Sequence, residues 1–175
     1  MIRNFYIVGA GGYGQQLQSF VKKNKLVGSV QFVDDKLKFN IDKFSKINKK
    51  VYFNIAISKP STREDIYQVY VKKNFFYKTL IFPNKNIYSN KIGDGCIVEP
   101  NTLVSNNVII GMGNYIFFGT SIAHDVKIGN NSQIGENSRI ANDTVIGDNV
   151  MMGLEVLILS VRHSYEDNII PPIDQ

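Results

Sequence analysis

Two histidines are the side chains in this 175-residue sequence whose ordinary pKa lies near neutrality, and each stands where it could act as a general base. His124 lies in Ser121-Ile122-Ala123-His124-Asp125-Val126-Lys127-Ile128-Gly129, beside a carboxylate able to orient its ring. His163 lies in Leu159-Ser160-Val161-Arg162-His163-Ser164-Tyr165-Glu166-Asp167, ahead of Pro171-Pro172-Ile173-Asp174-Gln175. A third constellation opens the chain. Gly9-Ala10-Gly11-Gly12-Tyr13-Gly14 follows the apolar run Phe5-Tyr6-Ile7-Val8, and Asp34-Asp35 comes 20 residues after Gly14. Gly9, Gly11 and Gly14 match a dinucleotide fingerprint: glycines let a phosphate approach the backbone at a helix N-terminus, and the carboxylates could hold ribose hydroxyls. Glycine-rich turns also serve packing alone. No metal cluster is expected, because the histidines are 39 residues apart and Cys96 is near neither.

The second half of the chain declares the scaffold for these groups. From Ile92 an aliphatic residue or Met recurs every six positions: Ile92, Val98, Val104, Ile110, Ile116, Ile122, Ile128, Ile134, Ile140, Ile146, Met152 and Ile158. The next residue is usually small, as at Gly93, Gly111, Ala123, Gly129, Gly135 and Gly147. A second inward residue follows four positions after the aliphatic, as at Cys96, Thr102, Val108, Thr120, Val126 and Ser132. This period means a short strand and a tight corner, repeated. Three units close a triangular coil of 18 residues, so Ile92, Ile110, Ile128 and Ile146 share a face. Coils then stack at about 4.8 Å, and none buries its apolar face without its neighbours. Cys96 falls on an inward position and reads as a small core residue rather than a catalytic thiol. His124, two positions past Ile122, should sit near a corner and face out.

Residues 1–83 read as a small parallel α/β unit. Strands are expected at Phe5 to Val8, Val30 to Val33, Val51 to Ile57 and Leu80 to Phe82. Helices carry Leu17, Phe20 and Val21, then Ile66, Val69 and Tyr70, the second opened by a capping box of Ser61 and Glu64.

The hexads of residues 92–175, within a domain expected to span 84–175, resemble the left-handed parallel β-helix of the hexapeptide-repeat acyltransferases. That resemblance implies the handedness, a homotrimer, and acetyl-CoA bound between neighbouring prisms. A Rossmann-like unit ahead of such repeats resembles the nucleotide-sugar N-acetyltransferase and sialic-acid O-acetyltransferase group. It implies that the Gly9–Gly14 loop, with Gly12 and Tyr13, lies near the phosphates of a UDP- or CMP-type sugar, and Asp34 and Asp35 near its nucleoside. The His124-Asp125 segment is similar to the general base of that group with its orienting acid. Where some members carry a second histidine, this chain has Gln133. The stretch around His163 resembles instead the maltose- and galactoside-type O-acetyltransferases, whose matching histidine takes the hydroxyl proton. The His163 motif is the longer and the N-terminal unit favours His124, so both are candidate bases. Members of these families continue for further coils, so the β-helix domain is expected to be truncated at Gln175.

Composition narrows the partners. Hydrophobic residues make up 43% and charged residues 20%, and the net charge of +5 suits an anionic ligand such as a nucleotide or coenzyme A. The lysines are scattered, as at Lys22-Lys23, Lys49-Lys50 and Lys72-Lys73, which is not a nucleic-acid stripe. There is no apolar run long enough for a transmembrane helix, no signal-peptide pattern, and one cysteine, which together point to the cytoplasm. The expected activity is acetyl transfer from acetyl-CoA to an amino or hydroxyl group of a nucleotide-linked sugar in bacterial surface glycan synthesis. The competing reading is a non-catalytic trimer that binds sugar nucleotides and has lost its coenzyme site. A nicotinamide oxidoreductase is disfavoured, since the second half of a dinucleotide fold is missing.

Overall fold

Alternation of side chains along a strand puts Phe5 and Ile7 on one face of the first sheet, Tyr6 and Val8 on the other, and both pairs are buried. The computed structural model describes residues 2–38, 40–47, 49–73, 75–83 and 86–160. It begins with β1 (Ile2–Val8), α1 (Gly12–Lys23), β2 (Val27–Val33), α2 (Ile41–Ser45), β3 (Val51–Ile55), α3 (Pro60–Val71) and β4 (Phe75–Tyr77). The four strands form a parallel sheet in the order β2-β1-β3-β4. On one face Phe5 and Ile7 pack with Leu17 and Val21 of α1. On the other, Tyr6, Val8, Phe53 and Ile55 pack with Phe44 of α2 and Tyr70 of α3.

Two local expectations are corrected. Helix α3 has Pro60 in its first turn and Lys59 as an N-cap without a side-chain bond, so there is no Ser61–Glu64 capping box. Glu64 turns away, accepting from Asn131 Nδ2 and from Gln68 Nε2 at 2.6 Å. Leu80–Ile81 does form a strand, β5, but it pairs with Ile97–Val98 of the first coil, while Phe75–Tyr77 takes the fourth place in the sheet. The reason is a division of labour: Leu80 and Phe82 bury their side chains with Phe5 and Leu17 while their backbone joins the prism.

The coils follow as β6 (Lys91–Ile92), β7 (Ile97–Val98), β8 (Leu103–Val104), β9 (Ile109–Ile110), β10 (Tyr115–Ile116) and β11 (Ser121–Ile122). They continue as β12 (Lys127–Ile128), β13 (Gln133–Ile134), β14 (Arg139–Ile140), β15 (Val145–Ile146) and β16 (Leu157–Ile158). Three parallel faces result: β5-β7-β10-β13, β8-β11-β14-β16 and β6-β9-β12-β15. Ile92, Ile110, Ile128 and Ile146 stand in register on the third face, as the 18-residue coil requires. The whole aliphatic series from Ile92 to Ile158 lines one interior core with Cys96, Val108 and Val126.

Each corner turns on a residue three positions after the aliphatic, with φ between 55 and 71°: Gly95, Asn101, Asn107, Gly113, Gly119, Asp125, Asn131, Asn137, Asp143, Asn149 and Glu155. Gly, Asn and Asp tolerate this left-handed conformation best, which explains the column. Inside, polar residues of the second inward column close the backbone's unpaired groups. Asn114 donates to Gly111 O and Gly129 O at 2.8 and 2.7 Å and accepts from Ser132 N at 2.8 Å. Thr120 and Ser132 hydroxyls donate to Phe117 O and Gly147 O, both at 2.8 Å.

The first face of the prism is covered by the N-terminal sheet. Ile97 and Tyr115 project from it into the cluster around Phe5, Ile7 and Leu17. Arg63 is fully buried in the joint. Its guanidinium lies over the Tyr115 ring at 4.2 Å, donating to Ile57 O, Ser58 O and, across the joint, Asn131 O. Tyr115 hydroxyl donates back to Ile55 O, and Asn54 Nδ2 donates to Gly95 O at 3.0 Å.

Candidate active site

His124 and Asp125 stand at the corner between the second and third faces, after β11 and before β12. Both are well exposed, 57% for the imidazole and 45% for the carboxylate. His124 Nδ1 donates to Asp125 Oδ2 at 2.7 Å, which leaves Nε2 as the lone-pair nitrogen facing outward. The tight corner makes the pair possible: with φ at 61°, Asp125 folds its side chain back on the preceding ring. The His124 bond holds the Asp125 carboxyl below its usual 3.8, and a bond from the Asn107 side chain, one coil earlier, acts in the same direction. Main-chain bonds from Asp125 N to Asn106 O (3.2 Å) and from Asp143 N to His124 O (3.3 Å) fix the corner to the coils on either side. A base, its orienting acid and a rigid support are therefore in one place.

His163 lies outside the described residues. Gln133 is on β13, in the first face of the prism, and so is not at the His124 corner. Cys96 is fully buried, donates to Gly111 O at 3.0 Å, and its thiol is pushed up to about 12 by burial, which suits a core residue and not a nucleophile.

The glycine loop links β1 to α1, with Gly11 as the N-cap. Gly9 has φ of 103°, and a methyl on Gly14 would sit 2.1 Å from Gly9 O, so these two glycines are demanded by the turn and by close packing. Gly11 and Gly12 differ. A methyl on either would meet nothing within 4 Å, so the space before them is open. Asp34 is tied to this loop, accepting from Ala10 N at 2.9 Å and Lys36 N at 3.0 Å, and these bonds hold its carboxyl below the ordinary range. Its first service is thus to shape the loop; Asp35 beside it is exposed.

Tyr13 bolts the loop to the prism, its ring 5.4 Å from those of both Tyr115 and Phe117. Along the neighbouring corner, Gly119, Asn137, Arg139, Glu155, Val156 and Leu157 line an open groove of about 460 Å3. The N-terminal unit thus spans the first face from Arg63 and Glu64 at one corner to Tyr13 at the other, and the His124 corner is the third. Within one chain the loop and the histidine are not brought together.

Arg63, Tyr115, Glu99 and Asn107 were not expected at the joint or the site. Two of them leave a signal in the repeat, as does Phe117. Glu99 and Phe117 interrupt the small-residue column, Tyr115 is a bulky apolar residue at an outward strand position, and all three meet the N-terminal unit.

The six-residue repeat matches the model of the bacterial transferase hexapeptide (six repeats) over residues 107–142 and 125–153. Among curated proteins none matches the sequence. Solved structures do match in fold. The acetyltransferase domain of PglB from Neisseria gonorrhoeae FA1090, in complex with acetyl coenzyme A, superposes with a TM-score of 0.73 at 19% identity, over 91% of this chain and 92% of that one. PerB from Caulobacter crescentus, in complex with CoA and GDP-perosamine, gives 0.68 at 16% identity, over 91% and 90%. WeeI from Acinetobacter baumannii AYE gives 0.62 at 19%, over 90% and 92%. The repeat and its parallel sheets fit a left-handed parallel β-helix, and the likeness extends over the N-terminal sheet as well. Among the described residues no helix is long and apolar enough to cross a membrane, and no group of three or more His, Cys, Asp or Glu could hold a metal ion.

Proposed function

We propose that this protein transfers an acetyl group from acetyl-CoA to an amino or hydroxyl group of a nucleotide-linked sugar, with His124 as general base and Asp125 as its orienting acid. The observation that carries the reading is the 2.7 Å bond from His124 Nδ1 to Asp125 Oδ2 on an exposed prism corner. In the reaction the acceptor attacks the thioester carbonyl and its proton passes to Nε2. The tetrahedral intermediate then expels the CoA thiolate, which takes that proton to leave as free thiol. Support for the two substrates comes from the fold matches, one solved with acetyl coenzyme A and another with CoA and GDP-perosamine.

In this reading residues 1–83 are a Rossmann-like sugar-nucleotide domain and residues 84–175 the acetyltransferase domain. The open backbone at Gly11 and Gly12 receives the diphosphate, with Tyr13 and the Gly9–Gly14 turn as its frame. Asp34 holds that frame, and Asp35 is free to meet the nucleoside. A homotrimer supports the assembly, because a second copy can bring its glycine loop to the bare His124 corner. The enzyme would work in the cytoplasm, where sugar nucleotides and acetyl-CoA occur, and feed a bacterial surface glycan.

The test is thiol release from acetyl-CoA with UDP- and GDP-linked amino sugars, and the corresponding hydroxy sugars, as acceptors. Release with one acceptor, lost in His124→Ala and kept in His163→Ala, supports the assignment. The opposite pattern moves the base to His163. Full activity in both variants sinks the mechanism, and no release with any acceptor sinks the activity.

A further inference from the structure

Glu99 is a buried carboxylate at the joint, 1% exposed, in a column otherwise filled mostly by Gly and Ala. One oxygen, Oε2, accepts from Phe118 N at 3.1 Å. The other, Oε1, and the Tyr13 hydroxyl are both buried without a hydrogen-bond partner among the described residues, and the two side chains lie close enough to interact. Tyr13 is the second residue of α1, in the turn that carries the open Gly11 and Gly12 backbone. The carboxyl therefore stands beside the helix turn that carries the glycine loop and is bonded to the Phe118 corner of the prism.

We propose that Glu99 is a positioning residue for the sugar-nucleotide site: it bridges the Tyr13 hydroxyl and the Phe118 amide and so fixes the glycine loop for the incoming diphosphate. This rests on the loop being the diphosphate site, as proposed above. Two physical effects make the bridge matter. A loop held before binding does not lose its freedom on binding. The charge behind it also counts, because an ionised Glu99 at the start of α1 opposes the helix dipole's attraction for phosphate. Burial raises the Glu99 carboxyl above its usual 4.5, and Glu136, two coils further on, adds to this, while the Phe118 amide and Tyr13 hydroxyl pull it down. Arg63 of α3 is a cation in electrostatic range of Tyr13 and acts in the opposite direction to Glu99.

The experiment is direct binding of UDP-N-acetylglucosamine, whose phosphodiester charges do not titrate near neutrality, to the full chain by calorimetry. The variants are Glu99→Ala, Glu99→Gln and Tyr13→Phe, each checked for folding by circular dichroism. Glu99→Ala and Tyr13→Phe are expected to weaken binding about fivefold to tenfold, the worth of one hydrogen bond, and the double variant no more than Glu99→Ala. Glu99→Gln, whose carbonyl oxygen can accept from Phe118 N while its amide N–H donates to the Tyr13 oxygen, should stay within about twofold of the wild type. Its affinity should also change less with pH, since wild-type binding weakens as Glu99 ionises. A folded Glu99→Ala or Tyr13→Phe protein that binds like the wild type, or equal losses in Glu99→Gln and Glu99→Ala, overturns the inference. If the wild type itself fails to bind, the diphosphate reading of the loop fails and the inference with it.

Discussion

Gly12 and Gly14 are two residues apart in the same turn, yet alanine at each should have opposite consequences. At Gly14 the added methyl would lie 2.1 Å from Gly9 O and 3.1 Å from Gly9 C, and both are backbone atoms that cannot swing aside. Overpacking of this kind costs about 1–3 kcal/mol. A chain of this size loses roughly 2–4 °C of melting temperature per kcal/mol, so Gly14→Ala should melt roughly 2–12 °C lower. At Gly12 the methyl meets nothing within 4 Å, and the residue is the first of α1. Removing a glycine from a helix gains at most about 1 kcal/mol, so Gly12→Ala should melt at or slightly above the wild type. The methyl would nevertheless occupy the space a phosphate oxygen needs. Losing one charge-assisted bond from the backbone is worth about 1.5–3 kcal/mol, or a tenfold or greater rise in the sugar-nucleotide dissociation constant. Thermal unfolding by circular dichroism and calorimetric binding read the two effects separately. A Gly12→Ala protein that binds sugar nucleotides normally would refute the phosphate site, and a Gly14→Ala protein that melts like the wild type would refute the packing argument.

His124→Ala should lower kcat by about 10²- to 10⁴-fold in the thiol-release assay, while its exposed position keeps the change in stability within about 0.5 kcal/mol. Since Asp125 ionises below its usual 3.8, its bond to the imidazole persists above that pH and is lost only as pH falls through the lowered value, so Asp125→Asn should lower kcat in assays run above it. Arg63→Met strands three carbonyl acceptors in the joint and should cost about 2–4 kcal/mol by denaturant unfolding; a smaller change would show that the joint is held by its apolar contacts. Because Glu99 ionises above its usual 4.5 when folded, the advantage of its neutral form is complete below that pH and fades as pH rises through the folded value. Glu99→Gln should accordingly gain stability over the wild type with rising pH and match its pH trend below about 4.5.

The prism was legible because one constraint repeats through it. Each hexad places an aliphatic residue inside, and a slip of one residue would turn it out to solvent, so the series from Ile92 to Ile158 sets register and coil length together. The corner column could have been read as well: a Gly, Asn or Asp three places after almost every aliphatic marks a left-handed turn. The N-terminal strands and α1 follow from alternation and from the Leu17–Val21 face, but the short strand β4 did not stand out in Phe75-Phe76-Tyr77, which is apolar throughout. The capping box failed for a definite reason, since Glu64 has a partner across the joint that local sequence does not reveal. The same holds for Arg63 and Glu99, buried ionisable groups that make sense only when two distant parts of the chain are placed against each other. At the candidate site, the His124–Asp125 pair was visible as neighbours in sequence, whereas the engagement of Asp34 by Ala10 depends on how β2 ends beside the loop.

The separation of loop and histidine within one chain leads to a test of the assembly itself. The N-terminal unit reaches from the Arg63 corner to the Tyr13 corner, so His124 stands on the corner it leaves bare. If each reaction site takes its histidine from one copy and its glycine loop from the next, two inactive variants should rescue one another. His124→Ala supplies intact loops, and Gly12→Glu, which places a carboxylate against the phosphate path, supplies intact histidines. Refolded together in equal amounts and assorting freely, they would form about one site in four with both parts intact, whatever the number of copies in the closed ring. Activity near a quarter of the wild type in the mixture, with neither variant active alone, would establish a shared site. A mixture as inactive as its components would show that one chain supplies both, and would require the N-terminal unit to move a long way across its own prism.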